Sequence, residues 1–404
     1  MEERRRYRNG EAMVALGNPS FEAARRHGVI DLSVHHLGGG RLGLEDGREF
    51  LNLSSCSYLG LDAHPAVLDG AIEALQQEKL IDTGISRVRV RLSLLDALEQ
   101  ELGALWRTRA ITAVSASAAT AGLLPLVAGG QLCDDGQPRV MVFDKSCHFS
   151  MNLIKPICAD EAPVLTCPHN DLNFLEDVCR KHPRVAYVAD GFYSMGGAAL
   201  VKDLLALQER YGLYLYFDDS HGLSVHGEHG EGFVRSLLGE EIHPLTLVVA
   251  SLAKGFGTSG GVVMLGARHL EDRVHRFGGP LAWSQGLNVA SIGAGLASAK
   301  LHRTPELDRL QGALRANLQR FDAQVEAPNR GSLSQIRVVE VGAEEQAVER
   351  SRHMLDKGFY TSAVFFPIVA RGRAGLRVML RANLSDDDMN RLCNAVRAVA
   401  GKAA

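Results

Sequence analysis

The feature that most constrains this chain is a series of short apolar runs, each followed by small or acidic residues and separated by helical patterns. From about Ala110 the runs read AITAV (110–114), RVMVFD (139–144), RVAYVAD (184–190), LYLYFDD (213–219), LTLVVAS (245–251) and GVVML (261–265). Runs this continuously apolar must be buried on both faces, as in a parallel sheet covered by its own crossover helices. DLNFLEDVCRKH (171–182) and VKDLLALQERYG (201–212) read as two such helices. The stretch 252–260 is too short for a crossover helix, so strand 261–265 is expected to run antiparallel to 245–251. The expected class is α/β with a mostly parallel sheet.

The flanks read differently. RLGLEDGREFLNL (41–53) is a hairpin turning at Asp46-Gly47. After Leu287, helices are expected at 288–303 and 306–325. They lead into a smaller α+β unit with strands at 336–341, 361–366 and 376–381. Ser385 caps the closing helix, with Asp386, Asp387 and Asp388 in its first turn. The expected division is an N-terminal arm and hairpin over 1–58, a large domain over 59–290 and a small domain over 291–404.

Length and charge narrow the function classes. The 404 residues are ample for a sizeable core and a second domain. A formal net charge of −3, with acids and bases interspersed, gives no footprint for nucleic acid or an anionic membrane. MEERRRYRNGE opens the chain without an apolar segment, so no signal peptide is expected. The long uncharged stretch 110–131 is rich in Ala, Ser, Thr and Gly and carries Pro125. It reads as strand, turn and core helix, not as a membrane span. Seven cysteines without a C-x-x-C pair indicate neither a disulfide framework nor a zinc ribbon, and a reduced, cytoplasmic protein is expected.

Polar residues gather where the strands end. Asp190 closes one strand and Ser194 follows it. Asp218 and Asp219 close another, followed by His221. Ser251 closes a third, with Lys254 three residues on. In an open parallel sheet, ligands bind at these carboxyl ends. Strand 110–114 is followed by SASAAT and a helix, a geometry that presents backbone N–H groups to an anion such as phosphate. A lysine, a strand-end carboxylate, a phosphate cradle and histidines are the parts of a pyridoxal 5′-phosphate site. His221, His226 and His229 match no metal-ligand spacing, and no metal is expected.

Lys254 lies in SLAKGFGTSGG (251–261), and three chemistries could use it. Gly255, Gly257 and Gly260 spell G-x-G-x-x-G, but a dinucleotide fingerprint must open a helix, and this one opens a strand. Ser251 and Lys254 spell S-x-x-K, yet the S-D-N and K-T-G elements of that hydrolase class are missing from the sequence. A Schiff-base lysine accounts for the lysine, the acid, the anion site and the glycines together.

With these motifs in order, the chain resembles the α-oxoamine synthases, a branch of the fold-type I pyridoxal phosphate enzymes. The resemblance runs from about Gly47 to the C-terminus. It is carried by NLSSCSYLGLDAHP (52–65), CHFSMN (147–152), HND (169–171), DGFYSMGG (190–197), DDSHGLSVHGEHGEG (218–232) and SLAKGFGTSGG (251–261). It implies a seven-stranded, mostly parallel sheet in a large domain with a smaller α+β domain. Lys254 would hold the cofactor as a Schiff base, Asp218 would pair with the ring nitrogen, His221 with the ring oxygen, and His148 would stack on the ring. Ser194 aligns with a polar residue near the cofactor. Ser115, Ala116, Ser117 and Ser251 align with phosphate ligands. Arg377 aligns with the arginine that binds the amino-acid carboxylate.

The implied reaction is a decarboxylative Claisen condensation of an amino acid with an acyl thioester, carried by CoA or an acyl carrier protein. Transamination, aldol cleavage and a non-catalytic partner subunit are the alternatives. A homodimer with shared active sites is implied, with Ser284 in FGGPLAWSQGLN (277–288) reaching the neighbour's phosphate. The departures from the family pattern gather at the substrate entrance. Cys56-Ser57 replaces an asparagine-containing pair, Asp190 a glutamate, Gly196 an aspartate, Leu95 or Asp96 a histidine, and Leu384 another histidine. GISRVRVRLS replaces a glycine-containing loop, so Arg89 and Arg91 are expected either on a solvated edge or against an acidic acyl donor. ASLAKGFG and TSAVFFP lean toward synthases of a specialised aminoketone.

Overall fold

The structure is a computed structural model that describes residues 10–366 and 368–400. Two compact units divide the chain, one of residues 61–194 and 198–308, the other of residues 1–60, 195–197 and 309–404. The three segments expected at 1–58, 59–290 and 291–404 are therefore regrouped. The hairpin joins the C-terminal unit because Phe359–Tyr360 pairs in parallel with Leu51 and Asn52. The helix Val289–Leu301 joins the larger unit, where Ile292 and Ala299 enter the core.

The larger unit holds a seven-stranded sheet in the order Arg109–Ala113, Gly261–Leu265, Thr246–Ser251, Tyr214–Asp218, Val185–Asp190, Val140–Asp144 and Val164–Cys167. The last five of these run parallel. Gly261–Leu265 runs antiparallel to both neighbours, as the short link before it requires. Every residue of Val140–Asp144, Val185–Asp190 and Tyr214–Asp218 is buried, which explains their unbroken apolar runs. Val164–Cys167 is the strand that the apolar pattern does not reveal. It is a short edge strand with two half-covered or exposed residues, set between Pro163 and Pro168.

Ser115 caps the helix Ala116–Ala128 by accepting the Ala118 N–H at 3.1 Å. The stretch 110–131 thus forms strand, cap and buried helix, and no helix among the described residues is long and apolar enough to cross a membrane. Gly122 lets this helix approach the main chain of 278–279, since a Cβ there would lie 1.8 Å from the Gly278 carbonyl oxygen.

Segment 86–91 forms no regular strand; Arg89 and Arg91 are exposed in it, and Arg87 is not. Arg87 is 3% exposed and forks onto Glu99 at 2.9 and 3.2 Å. Glu99 also accepts the Thr112 N–H and hydroxyl at 2.7 and 2.8 Å. This network ties the entrance segment and the helix Ser93–Trp106 to the edge strand Arg109–Ala113.

The smaller unit contains a four-stranded sheet, Val34–Gly38, Arg41–Leu44, Glu49–Asn52 and Phe359–Tyr360, and a three-stranded sheet, Ile336–Gly342, Ala374–Met379 and Ser362–Val364. The hairpin turns where expected, with Gly47 at φ 83°. Arg337 is fully buried and pairs with Asp322 at 2.6 and 2.7 Å. Ser385 accepts the Asp388 N–H at 3.1 Å, as its capping position implies.

Removing one partner of a buried ion pair leaves the other charge without compensation. Glu99→Ala is therefore expected to cost about 3–5 kcal/mol in urea unfolding. A loss below about 1 kcal/mol would show instead that Arg87 behaves as an exposed side chain.

Candidate active site at the strand ends

Val185–Asp190 and Tyr214–Asp218 end level with each other, so Asp190 is the register partner of Asp218. Both are buried, as is Asp219. Burial pushes Asp190 well above the usual carboxylate range, and Asp218 adds to the effect; the His148 N–H and Lys254 oppose it. Burial likewise raises Asp219, whose Oδ2 accepts the Val234 N–H at 2.8 Å.

The next strand, Thr246–Ser251, delivers the lysine. The Ser251 N–H donates to Ser220 Oγ at 2.9 Å, and the Ser220 N–H donates to Asp218 Oδ1 at 3.0 Å. Ser251 Oγ accepts the Ala253 N–H at 3.2 Å, tightening the turn. Lys254 Nζ then lies 3.0 Å from His221 Nε2. Where Lys254 is the donor of that pair, His221 Nε2 is the acceptor.

His148 caps the short helix Phe149–Asn152. Its N–H donates to Asp190 Oδ2 at 2.8 Å, and its Nδ1 lies 2.9 Å from Ser150 Oγ. Asp190 therefore anchors the His148 main chain as well as standing beside Asp218. At the edge of the sheet, Ser115 satisfies the third amide of its helix and leaves those of Ala116 and Ser117 outside the intrahelical ladder. Gly261 permits this, since a Cβ there would sit 2.4 Å from the Ala116 nitrogen.

The other expected residues are placed as follows. Ser194 is half-buried. Ser284 donates its hydroxyl to the Pro280 and Gln285 carbonyls of its own chain. Arg89 lies over the Trp283 ring at 5.6 Å, and Arg91 pairs with Asp96 at 2.6 Å. Arg377 belongs to the smaller unit, in register with Val338 and Ser362, and its Nε is buried without a hydrogen-bond partner.

Two contributors escape the motif reading. Ser220 links Asp218 to Ser251, and only its place between Asp219 and His221 hints at a role. Asp144 closes its strand by the same rule as Asp190. Fully buried, it accepts the N–H groups of Ser146 and Asn170 at 2.7 and 2.9 Å, the Tyr187 hydroxyl at 2.9 Å, and lies 3.0 Å from His169 Nδ1. Burial acts to raise it, but the bonds from His169, Asn170 and Ser146 prevail and hold it below the usual range.

A flat cofactor with an aldehyde, a ring nitrogen and a phosphate fits this donor set. The rim offers an amine beside an imidazole, a buried carboxylate, and a capped helix N-terminus that a glycine leaves open.

Comparison with known proteins agrees with this chemistry. The chain matches the aminotransferase class I and II family over residues 48–396. It is 32% identical over 360 residues to an 8-amino-7-oxononanoate synthase of Geobacter sulfurreducens, covering 87% of this chain and 89% of that protein. A Mycolicibacterium smegmatis protein of the same name is 31% identical over 347 residues, covering 84% and 86%. Among solved structures, the serine palmitoyltransferase of Sphingomonas wittichii superposes with a TM-score of 0.84 at 21% identity, covering 98% of each chain. An 8-amino-7-oxononanoate synthase of Francisella tularensis gives 0.70 at 17% identity, covering 87% and 97%; at such identities the likeness is one of fold.

Asp190→Asn keeps an oxygen for the His148 N–H and removes the ionisation. Because the folded state weakens this acid, the unfolded chain ionises first as pH rises. Wild-type apoprotein therefore loses relative stability from about pH 4 upward, through the native value. The advantage of the variant in urea unfolding is expected to be small near pH 4 and to widen toward pH 7, by about 1.4 kcal/mol per tenfold weakening of the acid. A difference that stays flat with pH would mean that Asp190 ionises like an ordinary carboxylate.

Proposed function

Because the chain belongs to the aminotransferase class I and II family, and within it to the α-oxoamine synthases, we propose that Lys254, Asp218, His221 and His148 form the catalytic centre of a decarboxylative condensation. The activity is that of a pyridoxal 5′-phosphate-dependent C-acyltransferase. It joins an amino acid to an acyl thioester and releases CO2 and a free thiol, leaving an α-aminoketone. The observation that carries the residue assignment is the contact of Lys254 Nζ with His221 Nε2, at the end of the strands that pair Asp190 with Asp218.

When bound, the cofactor supplies an electron sink for the carbanion at the amino acid's α-carbon. Lys254 would hold it through Nζ, Asp218 would face its ring nitrogen, His221 its ring oxygen and His148 its ring face. The amides of Ala116 and Ser117, with Ser115 and Ser251, would receive its phosphate. The Lys254 amine, kept in place by His221, takes the α-proton and returns it after CO2 has left. Asp218 lies buried beside Asp190, whose own carboxyl burial pushes upward. The family resemblance assigns the substrate carboxylate to Arg377.

On the donor side, we favour a specialised aminoketone as product and an acyl thioester presented by CoA or an acyl carrier protein. The entrance arginines support a difference there: Arg89 stacks on the exposed Trp283, and Arg91 is engaged with Asp96. Seven cysteines, all free thiols, suit a reducing, cytoplasmic setting. A homodimer is supported by the large apolar side chains Ile81, Phe149, Leu153, Phe277 and Trp283, each more than half exposed on the larger unit. Phe149 directly follows His148, so a second copy covering it would also close the site.

Borohydride reduction of the holoenzyme is expected to fix the cofactor on the peptide bearing Lys254, and Lys254→Ala to lower turnover by about 10²–10⁴-fold with the fold intact. CO2 and thiol release, followed across amino acids and acyl thioesters of increasing length, identifies both substrates. A label on another lysine would overturn the assignment. For the dimer, Phe277→Asp is expected to lower the sedimentation coefficient and to make activity fall on dilution. A fully active wild-type monomer would contradict it.

A further inference from the structure

Two irregular loops supply the lysine–histidine contact, 218–232 with His221 and 251–261 with Lys254. They lie directly against each other, since a Cβ added to Gly255 would meet the Leu223 carbonyl oxygen at 2.7 Å and Ser224 Cβ at 3.2 Å. Neither loop has a regular ladder of its own, and beyond the Ser251–Ser220 bond the 3.0 Å separation between Nζ and Nε2 gains from an outside reference that fixes both. The helix Val289–Leu301 and the residue after it provide one.

Ser298 Oγ donates to the Phe256 carbonyl at 2.6 Å, two residues beyond Lys254. Thr258 Oγ1 donates to the Ser291 carbonyl at 3.0 Å, fastening the same turn a second time. His302, at the helix end, reaches the other loop, with Nε2 2.8 Å from Ser224 Oγ and Nδ1 2.8 Å from the Ser298 carbonyl. A carbonyl only accepts, so Nδ1 carries the proton and Nε2 accepts from the Ser224 hydroxyl. The Phe256 ring packs on the imidazole at 4.9 Å between centroids. A Cβ on Gly230 would collide with His302 Cδ2 at 2.5 Å, so the ring fills its space.

Ser224 stands at φ 67°, a conformation that L residues rarely adopt and that needs holding. His302 is 2% exposed, and burial lowers it to about 4, so its accepting, neutral form persists through the neutral range.

We infer that His302 is a positioning residue for the Lys254–His221 pair: through Ser224 it fixes the His221 loop, and with Ser298 it refers that loop and the Lys254 turn to one helix. The inference rests on the roles proposed above for Lys254 and His221. His302, Ser298 and Ser224 act through the loops that carry the reacting groups.

The test uses the holoenzyme and the variants His302→Leu, His302→Gln, Ser224→Ala and Ser224→Gly. Glycine tolerates the left-handed turn, so Ser224→Gly removes the hydroxyl without adding strain. His302→Leu, Ser224→Ala and Ser224→Gly are expected to move the pH midpoint of the bound cofactor's visible absorbance by about half a unit or more and to lower kcat about tenfold, with KM for the amino acid nearly unchanged. His302→Gln, whose amide oxygen can accept from Ser224, is expected to restore both toward wild type. If His302→Leu fails to fold, the Ser224 pair still decides. A Ser224→Gly enzyme with wild-type midpoint and kcat, and with the borohydride label on Lys254, would overturn the inference and leave the site assignment standing. A label on another lysine would overturn the assignment itself.

Discussion

The main-chain ladder between Val185–Asp190, Tyr214–Asp218 and Thr246–Ser251 is the interaction on which the rest depends. Because these strands run parallel and end level, the residues that close them share one rim. Asp190 meets Asp218 by register, and Ser251 reaches Ser220 across the next gap. A slip of one residue would turn each of these side chains to the opposite face of the sheet. The apolar runs make such a slip costly, since they fill the space between the covering helices. Site precision is thus a by-product of core packing.

That rim gathers more buried acid than the rest of the large unit easily carries. Asp190, Asp218 and Asp219 lie within two strand ends, with Lys254 and His221 beside them. Placing anions together in a dry setting is unfavourable, and the fold tolerates it by letting Asp190 and Asp219 hold protons more tightly. Asp144 shows the opposite solution one strand away. Equally buried, it is surrounded by N–H and O–H donors and stays a strong acid. The same residue type at the same kind of strand end is thus pushed in opposite directions, and the donors around it decide which.

The entrance segment makes a similar point with arginines. Arg87, Arg89 and Arg91 alternate in sequence and invite one explanation, yet each meets a different neighbour. Arg87 is buried against Glu99, Arg89 lies over Trp283, and Arg91 pairs with Asp96 at the surface. Alternation predicts a strand face only where a partner strand exists; segment 86–91 has one isolated bridge, between Ser86 and Gln285. Arg87 and Glu99 are twelve residues apart in the chain, and no local pattern marks them as partners.

The sequence by itself determined the sheet, the antiparallel direction of Gly261–Leu265 and the identity of the rim residues. These follow from hydrophobic periodicity and link length, which act over a few residues. The four-residue strand Val164–Cys167, flanked by prolines, was too short and too exposed to register. Only the tertiary structure decided that the hairpin of residues 41–52 belongs with the C-terminal unit, through two residues of Phe359–Tyr360. It alone brought Ser220 between two strand ends and set His302 against Ser224, 78 residues away in the chain. Such contacts depend on burial and on the distance between side chains remote in sequence. Those quantities come into existence only when the layers pack.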